Sequence, residues 1–496
     1  MLSGHYKIIS ATEAANYVNN GDCVGVSGFA GTGVPKVIPP AIAKRAEEAH
    51  AAGRSFTIKL ISGASAGSQA DGELAKVGAI SYRLPYQSDP ILRKSINSAS
   101  VEYLDLHLSE VAQDLRFHHL PPIDIALIEA SHVSPNGEIT LTTSSGNAPL
   151  LCQEAKKIII ELNSYHSPRL REIHDVYLPS REDETKPVTV HNVASRIGTE
   201  TIHVAPEKIL GIVQTCQSDA LPAYKPNSAT TDLIGRHVIN FLEKEYLSGG
   251  MRGGFRPLQS GVGNIANSVL SCLEASSVIP PVEMFTEVAQ DAVIKLIKAG
   301  RCKFCSACSL TITDAVLQEI YENFDFYKDK LLIRPQEVSN SPGICRQLGI
   351  ISINTALEFD IFGNVNSSHL FGSHIMNGIG GSGDFARNAA LSIFVCPSVT
   401  KEGDISTVVP MVSHTDHTEH DVKVLITEHG VADLRGKGPR ARAACIIDNC
   451  AHPTYRDKLR KYLSLQKEGH TPHSLDKAFC FHLAYKQTGS MLNADI

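Results

Sequence analysis

No stretch of this chain is apolar for the roughly 20 residues that a membrane-spanning helix needs, so nothing in it reads as a membrane span. The first residues, Met1-Leu2-Ser3-Gly4-His5-Tyr6-Lys7, lack the apolar run of a secretory leader. No basic block stands out in a chain of net charge −6 and pI about 6.4, which argues against a nucleic-acid partner. The segment Arg435-Gly436-Lys437-Gly438-Pro439-Arg440-Ala441-Arg442 reads as a solvated loop, with phosphate contact as the alternative. The loop Gly28 to Lys36 has no lysine–serine P-loop ending and no G-x-G-x-x-G order, and the chain has no H-E-x-x-H helix, so ATP, NAD and zinc-protease chemistry find little footing.

What is present describes a globular protein. The 496 residues are too many for one core, and two to three domains are expected. Hydrophobic residues make up 43% and charged residues 20%, the balance of a soluble protein. The twelve cysteines are scattered, and Cys23, Cys396 and Cys445 lie in apolar segments. That pattern suits reduced thiols in a cytoplasmic protein. Cys302, Cys305 and Cys308 have C-x-x-C-x-x-C spacing, but no matching pair follows, so buried thiols are expected there. His414, His417 and His420 are expected to form a polar network instead of a catalytic metal centre. No metal or resident cofactor is expected.

Short apolar strands alternate with helical stripes: strands at 22–27, 55–61, 123–128 and 157–162, and a helix over 38–51. Continuous apolar strands of this kind are buried on both faces of parallel or mixed sheets. The polar, proline-bearing stretch within Gln217 to Asp232 reads as a linker, followed by a helix that Thr231 would cap. The two halves look like distant copies. Ala126–Ala130, Asn136–Ile139, Ser145–Asn147 and Ile158–Ile160 correspond in order to Ala356–Asp360, Phe362–Val365, Gly381–Asp384 and Ile393–Val395. The expectation is an α/β protein of two similar domains, 1–218 and 219–496, with the active site in the cleft between them.

Three loops are rich in small residues. Gly28 to Lys36 follows a strand and opens a helix, as either a tight turn or a phosphate approach. Gln259 to Ala266 opens another helix, where Gly261 and Gly263 could aim N–H groups at an oxyanion. Asn377 to Phe385 has four glycines in six residues, Gly378, Gly380, Gly381 and Gly383, and reads as a surface loop that needs positive φ or close ligand approach. Glu287 falls where the apolar run from Val282 gives way to a helical stripe over Ala289–Ala299. A carboxylate there is either a favourable helix start or a covalent nucleophile.

Taken together, Phe285-Thr286-Glu287-Val288-Ala289-Gln290-Asp291, Arg334 to Pro342, the Gly378 to Phe385 loop, Ser413 to Asp421 and Thr427 to Gly436 resemble the acetyl-CoA hydrolase/transferase family of class I CoA-transferases, over nearly the whole chain. The resemblance implies the CoA-transferase fold, a nucleophile at Glu287, and Asn340 and the backbone of Gly381 as holders of CoA or the acyl oxygen. It implies an active-site carboxylate at Glu428 and an oxyanion-side loop through Val262 and Gly263. The glycines 378, 380, 381 and 383 would contact CoA. Gly31 to Lys36 and Ser65 would face the site. Some relatives carry an arginine near the linker. Here Leu221-Pro222-Ala223-Tyr224-Lys225 has none, so either Lys225 substitutes or acid selection differs.

The resemblance further implies transfer of CoA between a short-chain acyl-CoA and a carboxylic acid through a glutamyl-CoA thioester, with coenzyme A as substrate and a homodimer as the default assembly. An acyl-CoA hydrolase is the rival, and a non-catalytic CoA-binding protein the rival from another class.

Overall fold

Residues 5–180, 185–219, 221, 226–251 and 253–496 are described by the computed structural model. They divide into two units. The first takes Met1–Pro222, Met284–Ile297 and Lys303–Leu348; the second takes Ala223–Glu283, Lys298–Cys302 and Gly349–Ile496. Two later segments, which carry Glu287 and Asn340, thus group with the first unit by contacts.

The first unit is built on seven strands: β1 (Cys23–Val26), β2 (Ile58–Ile61), β3 (Ile80–Leu84), β4 (Glu102–Tyr103), β5 (Ile125–Ala130), β8 (Lys157–Asn163) and β10 (Ile209–Thr215). Between them lie β6 (His132–Val133), β7 (Glu138–Thr140) and β9 (Ile202–His203), a small antiparallel sheet. The large sheet runs β10-β8-β5-β1-β2-β3-β4 and every pairing in it is parallel. Its alternating residues enter two cores. Val24, Val26, Ile125, Leu127 and Ile159 pack on one face with the helix Ile38–Ala51. Ala126, Ile128, Ile158 and Ile160 pack on the other with the helix Ala148–Glu154. Both faces are dry, which is why these strands read as unbroken apolar runs.

In the second unit, β11 (Leu258–Ser260) pairs parallel with β17 (Ile351–Thr355) and β17 with β22 (Leu391–Val395). β22 pairs parallel with the strand Val424–Thr427, which turns back antiparallel into Gly430–Asp433. A hairpin of β18 (Glu358–Asp360) and β19 (Val365–Asn366) follows β17, and a second of β20 (His369–Leu370) and β21 (His374–Ile375) follows that. The intervening numbers belong to strands around Glu287: β12 (Val282–Phe285), β13 (Val288–Gln290), β14 (Cys302–Ala307), β15 (Ser309–Thr311) and β16 (Leu331–Ile333). Three of these hydrogen-bond in line with the strands above, in the order β16-β14-β12-β11-β17-β22.

The duplication is present: Asn136–Ile139 corresponds to Phe362–Val365 as expected, while the strand before it matches in a different register. Hydrogen bonding pairs Ile125 with Lys157 in the first unit and Ile351 with Leu391 in the second. It pairs Val133 with Ile139 and Phe359 with Val365. β5 therefore corresponds to β17, and Ala356–Asp360 corresponds to the hairpin arm β6, four positions away from the match that composition suggested. The turn glycines of the two hairpins, Gly137 and Gly363, have φ of +82° and +99°. Gly146 and Gly380 have φ of +50° and +55°, a left-handed backbone that glycine adopts without strain. Each stands two positions before a seven-residue helix, Ala148–Glu154 or Ser382–Asn388.

Other expectations shift by a few residues. The helix over 38–51 forms as Ile38–Ala51, and Asn264–Ala275 is longer than its apolar stripe. After the linker the helix begins at Ala229 with Ser228 as its cap. Thr231 is the third residue of the same capping box, its hydroxyl accepting from the Ser228 N–H.

Candidate active site

Glu287 does not stand at a strand-to-helix handover. β12 ends at Phe285, β13 begins at Val288, and the helix starts only at Asp291. The apolar period was shared by two structures: Val288 and Ala289 pack as strand, paired in parallel with Ser309 and Leu310 of β15. Thr286 and Glu287 form the break between β12 and β13. The N–H groups of Cys308 and Ser309 donate to the Glu287 carbonyl at 2.8 and 3.1 Å, so the backbone is fixed and the side chain is free to be aimed.

That side chain meets Asn340. The Asn340 Nδ2 donates to Glu287 Oε1 at 2.6 Å, and the Ser339 hydroxyl donates to Asn340 Oδ1 at 2.8 Å, which orients the amide. Asn340 follows the short helix Gln336–Ser339, whose Gln336 takes its N–H to Gly146 O at 2.9 Å and its side-chain amide to Leu108 O at 2.7 Å. Ser339 and Asn340 are fully buried and Glu287 partly so. Burial pushes the Glu287 carboxyl up to about 7, against the lowering effect of the Asn340 bond. Glu287 Oε2 accepts no hydrogen bond among the described residues. The result is a carboxylate with one oxygen held and one oxygen open, poised to ionise near neutrality.

The Gly28 to Lys36 loop belongs to the same unit. Phe29 packs with Val288, Cys308, Leu108 and Ala64. It is not a phosphate cradle, because its helix start is already filled. Glu161 on β8 accepts from the N–H groups of Lys36, Val37 (3.0 Å) and Ile38 (3.1 Å), so the chain's own carboxylate takes the anion's place. Burial pushes Glu161 up to about 7 as well. Lys36 Nζ donates to Glu129, Asp219 and the Val34 carbonyl at 2.8, 2.8 and 2.6 Å, all buried. Burial alone would lower the pKa of Lys36, but Glu129 and Asp219 outweigh it and raise it. Glu129, His166 and Asp219 lie close enough to suggest a metal, but the Lys36 ammonium already supplies the cation between the two carboxylates. Asp219 ties the loop down: it also accepts from the Gly33 N–H (3.1 Å) and the Thr143 hydroxyl (2.6 Å). Residue types alone gave no sign of Glu129, Glu161 and Asp219. For Glu129 and Glu161 the one signal was charge inside otherwise apolar strands, while Asp219 lay in the polar linker stretch.

The remaining candidates lie in the second unit. Val262 is 45% exposed, and Gly263 precedes the helix Asn264–Ala275. The Gly261 N–H is already committed to Ile353 O at 2.9 Å, which removes it as an oxyanion donor. Gly378, Gly380, Gly381 and Gly383 are buried and do not form a surface loop. Of these only Gly380 has a left-handed φ, since Gly381 sits at −91° and Gly383 is inside a helix. Glu428 and His429 are the two-residue tip of the hairpin between Val424–Thr427 and Gly430–Asp433. Ser398 holds the Glu428 carboxylate through its N–H, at 2.8 Å, and its hydroxyl.

Cys302, Cys305 and Cys308 are buried free thiols, and burial raises the pKa of Cys308. The histidines of 414–420 do not converge on one another. His417 is buried against Phe394 and bonds Ser382 Oγ, while His420 is exposed. Lys225 lies outside the described residues.

Residues 4–214 match the model of the acetyl-CoA hydrolase/transferase N-terminal domain and residues 317–463 that of the C-terminal domain. The chain is 48% identical over 484 residues to the propanoyl-CoA:succinate CoA transferase of Escherichia coli strain K12, covering 98% of each chain. It is 44% identical over 488 residues to the succinyl-CoA:acetate CoA-transferase of Clostridium kluyveri, covering 98% of this chain and 90% of that one. It is 39% identical over 492 residues to an acetyl-CoA hydrolase of Schizosaccharomyces pombe, covering 96% and 94%. Among solved structures, RipA from Yersinia pestis shares the fold, with a TM-score of 0.69 at 20% identity, over 92% of this chain and 96% of that one. The chain belongs to the acetyl-CoA hydrolase/transferase family, and the protein is an enzyme of that family.

Proposed function

We propose that the protein moves CoA between a short-chain acyl-CoA and a carboxylic acid, with Glu287 as covalent nucleophile. The observation that carries this reading is the half-held carboxylate: Asn340 Nδ2 sits 2.6 Å from Oε1 while Oε2 takes no bond among the described residues. Ionised Glu287 attacks the thioester carbonyl through Oε2, giving an acyl–glutamyl anhydride and CoA thiolate. The thiolate attacks the glutamyl carbonyl and expels the carboxylate product, leaving a glutamyl-CoA thioester. The incoming acid then attacks that thioester, and the same two steps run in reverse. Each step exchanges one activated acyl bond for another, so no ATP is consumed. A donor amide fixed by Ser339 can also serve the tetrahedral oxyanion without reorganising. The reading assigns Val262, Gly263, Gly378, Gly380, Gly381 and Gly383 to acyl-CoA contacts and Glu428 to the active site.

Acetyl, propionyl, butyryl and succinyl groups differ by only a few kcal/mol of pocket contacts, so the proposal is for the class. A homodimer and a cytoplasmic location complete the reading; free cysteines support the second. Light scattering of the purified protein tests the first.

The experiment is a half-reaction. Incubation with acetyl-CoA and no acid should leave CoA on Glu287 as a thioester that borohydride reduces, seen by peptide mass. Adding succinate or propionate should release it as the new acyl-CoA. Release by water at the same rate without acid would replace the transferase with the hydrolase. No adduct at all would remove Glu287 as nucleophile.

A further inference from the structure

The histidine-rich segment 413–420 is larger than the CoA chemistry requires. His414 and Asp416 meet His369, which comes from the β20–β21 hairpin. One nitrogen of each histidine and one oxygen of Asp416 lie within 4.8 Å of one another. His414 Nε2 is 3.3 Å from Asp416 Oδ1. That is about the edge of a tetrahedron with arms of roughly 2.1 Å, the bond length of zinc to imidazole and carboxylate. The two imidazole rings lie 3.8 Å apart between centroids, tilted by 35°. His369 and His414 are partly exposed, so an ion and a water could reach the group from their side, while the Asp416 side chain is only 2% exposed.

The surroundings prepare these groups as ligands. Ser368 Oγ is 2.7 Å from Asp416 Oδ1 and 2.8 Å from Oδ2, and also 2.7 Å from His369 Nδ1. An ionised carboxylate can only accept, so the hydroxyl proton goes to Asp416. The hydroxyl oxygen must then accept from His369 Nδ1–H. That tautomer leaves the His369 Nε2 lone pair unprotonated, the form a metal requires. The Ser367 N–H donates to Asp416 Oδ2 at 2.6 Å and fixes the carboxylate from a second side.

We propose that His369, His414 and Asp416 form a binding site for a borderline divalent cation of the zinc class, with water as the fourth ligand. Two imidazoles and one carboxylate are a donor set suited to zinc or cobalt and poorly suited to calcium or magnesium. The ion would lie beside His417, the next residue after Asp416. His417 is strapped to β19 by Val365 N–H to His417 O at 2.8 Å, and its Nε2 meets Ser382 Oγ at 3.1 Å. Ser382 donates in turn to Ile379 O at 2.7 Å, across Gly380 and Gly381. A bound ion would stiffen the support of this glycine loop.

Cobalt(II) titration of the metal-free full chain tests the site without reference to activity. One ion per chain should bind with the intense visible absorption of a four-coordinate complex, and zinc should displace it. H369A and H414A should each weaken cobalt binding by about 100-fold or more. Asp416→Asn, which keeps the side-chain volume, should do the same. S368A should weaken it by about 10- to 100-fold, as loss of a ligand-orienting partner does. H420A, at an exposed neighbouring position, should change nothing. Zinc should raise the melting temperature of the wild type and leave that of H414A unmoved. Undiminished cobalt binding in the H369A/H414A double variant would place the ion among the other histidines and overturn the proposal, as would the absence of a four-coordinate spectrum in the wild type.

Discussion

Glu161 and Glu287 are two carboxylates of one unit, both pushed up to about 7 by burial, and they do opposite things. Glu161 has no exposed surface and takes three backbone N–H groups at the start of the helix Ile38–Ala51. Every direction in which it could react is filled. Glu287 is partly exposed, takes one side-chain amide on one oxygen and offers the other. A raised pKa therefore does not distinguish a structural carboxylate from a reactive one. The count and placement of donors does. A carboxylate saturated with donors is a cap, and one held by a single oriented donor keeps an oxygen for the nucleophilic role proposed above.

The sharpest break of this comparison is to remove each carboxylate in turn. Glu287→Ala should abolish CoA transfer, a loss of many thousandfold, with little loss of stability. Steady-state rates and a denaturant titration check both halves. Asn340→Ala comes next, at about 10²- to 10³-fold in kcat, the usual cost of one oxyanion donor, with a smaller change in the Kd for CoA. It should also move the pH dependence. Transfer by the wild type should rise with pH and level off above about 7 as Glu287 ionises. Since the Asn340 bond lowers that pKa, the variant's profile should shift to higher pH.

Glu161→Ala should show the reverse pattern to Glu287→Ala. Three helix-start N–H groups lose their acceptor, at about 3 kcal/mol of stability, while the folded fraction keeps its kcat at low temperature. A fall in kcat at full folding would make Glu161 more than a cap. The smallest effect is a gain. The Glu287 pKa is higher folded than the ordinary carboxylate value near 4.3, so the native state holds the proton more tightly. Stability is therefore lost as pH rises from about 4 to about 7. Glu287→Gln removes that loss and should stabilise the protein by about 1 to 2 kcal/mol at pH 8, and by less at pH 5. Urea unfolding at the two pH values reads the difference.

Local chemistry was well written in the chain. The helix Ile38–Ala51 was legible from its apolar stripe. The buried parallel strands were legible because both faces are dry. Glu287 and Asn340 were legible as motif residues, and the structure brings them together across 53 positions. What was hidden is non-local. Glu161 caps a helix that begins more than 120 residues earlier, and nothing near either end shows it. The first strand of the duplication was misread by four positions because the β5 and β17 strands differ where they could have matched: Glu129 pairs with Glu161, whereas Thr355 pairs with Val395. The buried charge at this paired position is found in the first unit and not at its match in the second. The strand-to-helix reading of Glu287 failed for a related reason. Val288 and Ala289 satisfy a helical period, yet their partner is β15, some twenty residues on.

The two copies also differ in length between the hairpin and the helix that follows it. Eight positions separate Ile139 from Asn147, and sixteen separate the corresponding Val365 from Gly381. On either side of this surplus the pairing registers agree. Doubling a loop costs only about 0.6 kcal/mol in closure entropy, so the longer copy is nearly neutral for the sheet. The added length is the β20–β21 hairpin with His369. It behaves as a detachable accessory. Replacing the sixteen by the shorter eight would leave the duplicated scaffold intact and remove one new ligand, and the reverse graft is open to the first unit. Duplication supplied a frame whose register is rigid and whose loops are editable, and the edit is where the copies acquired separate chemistry.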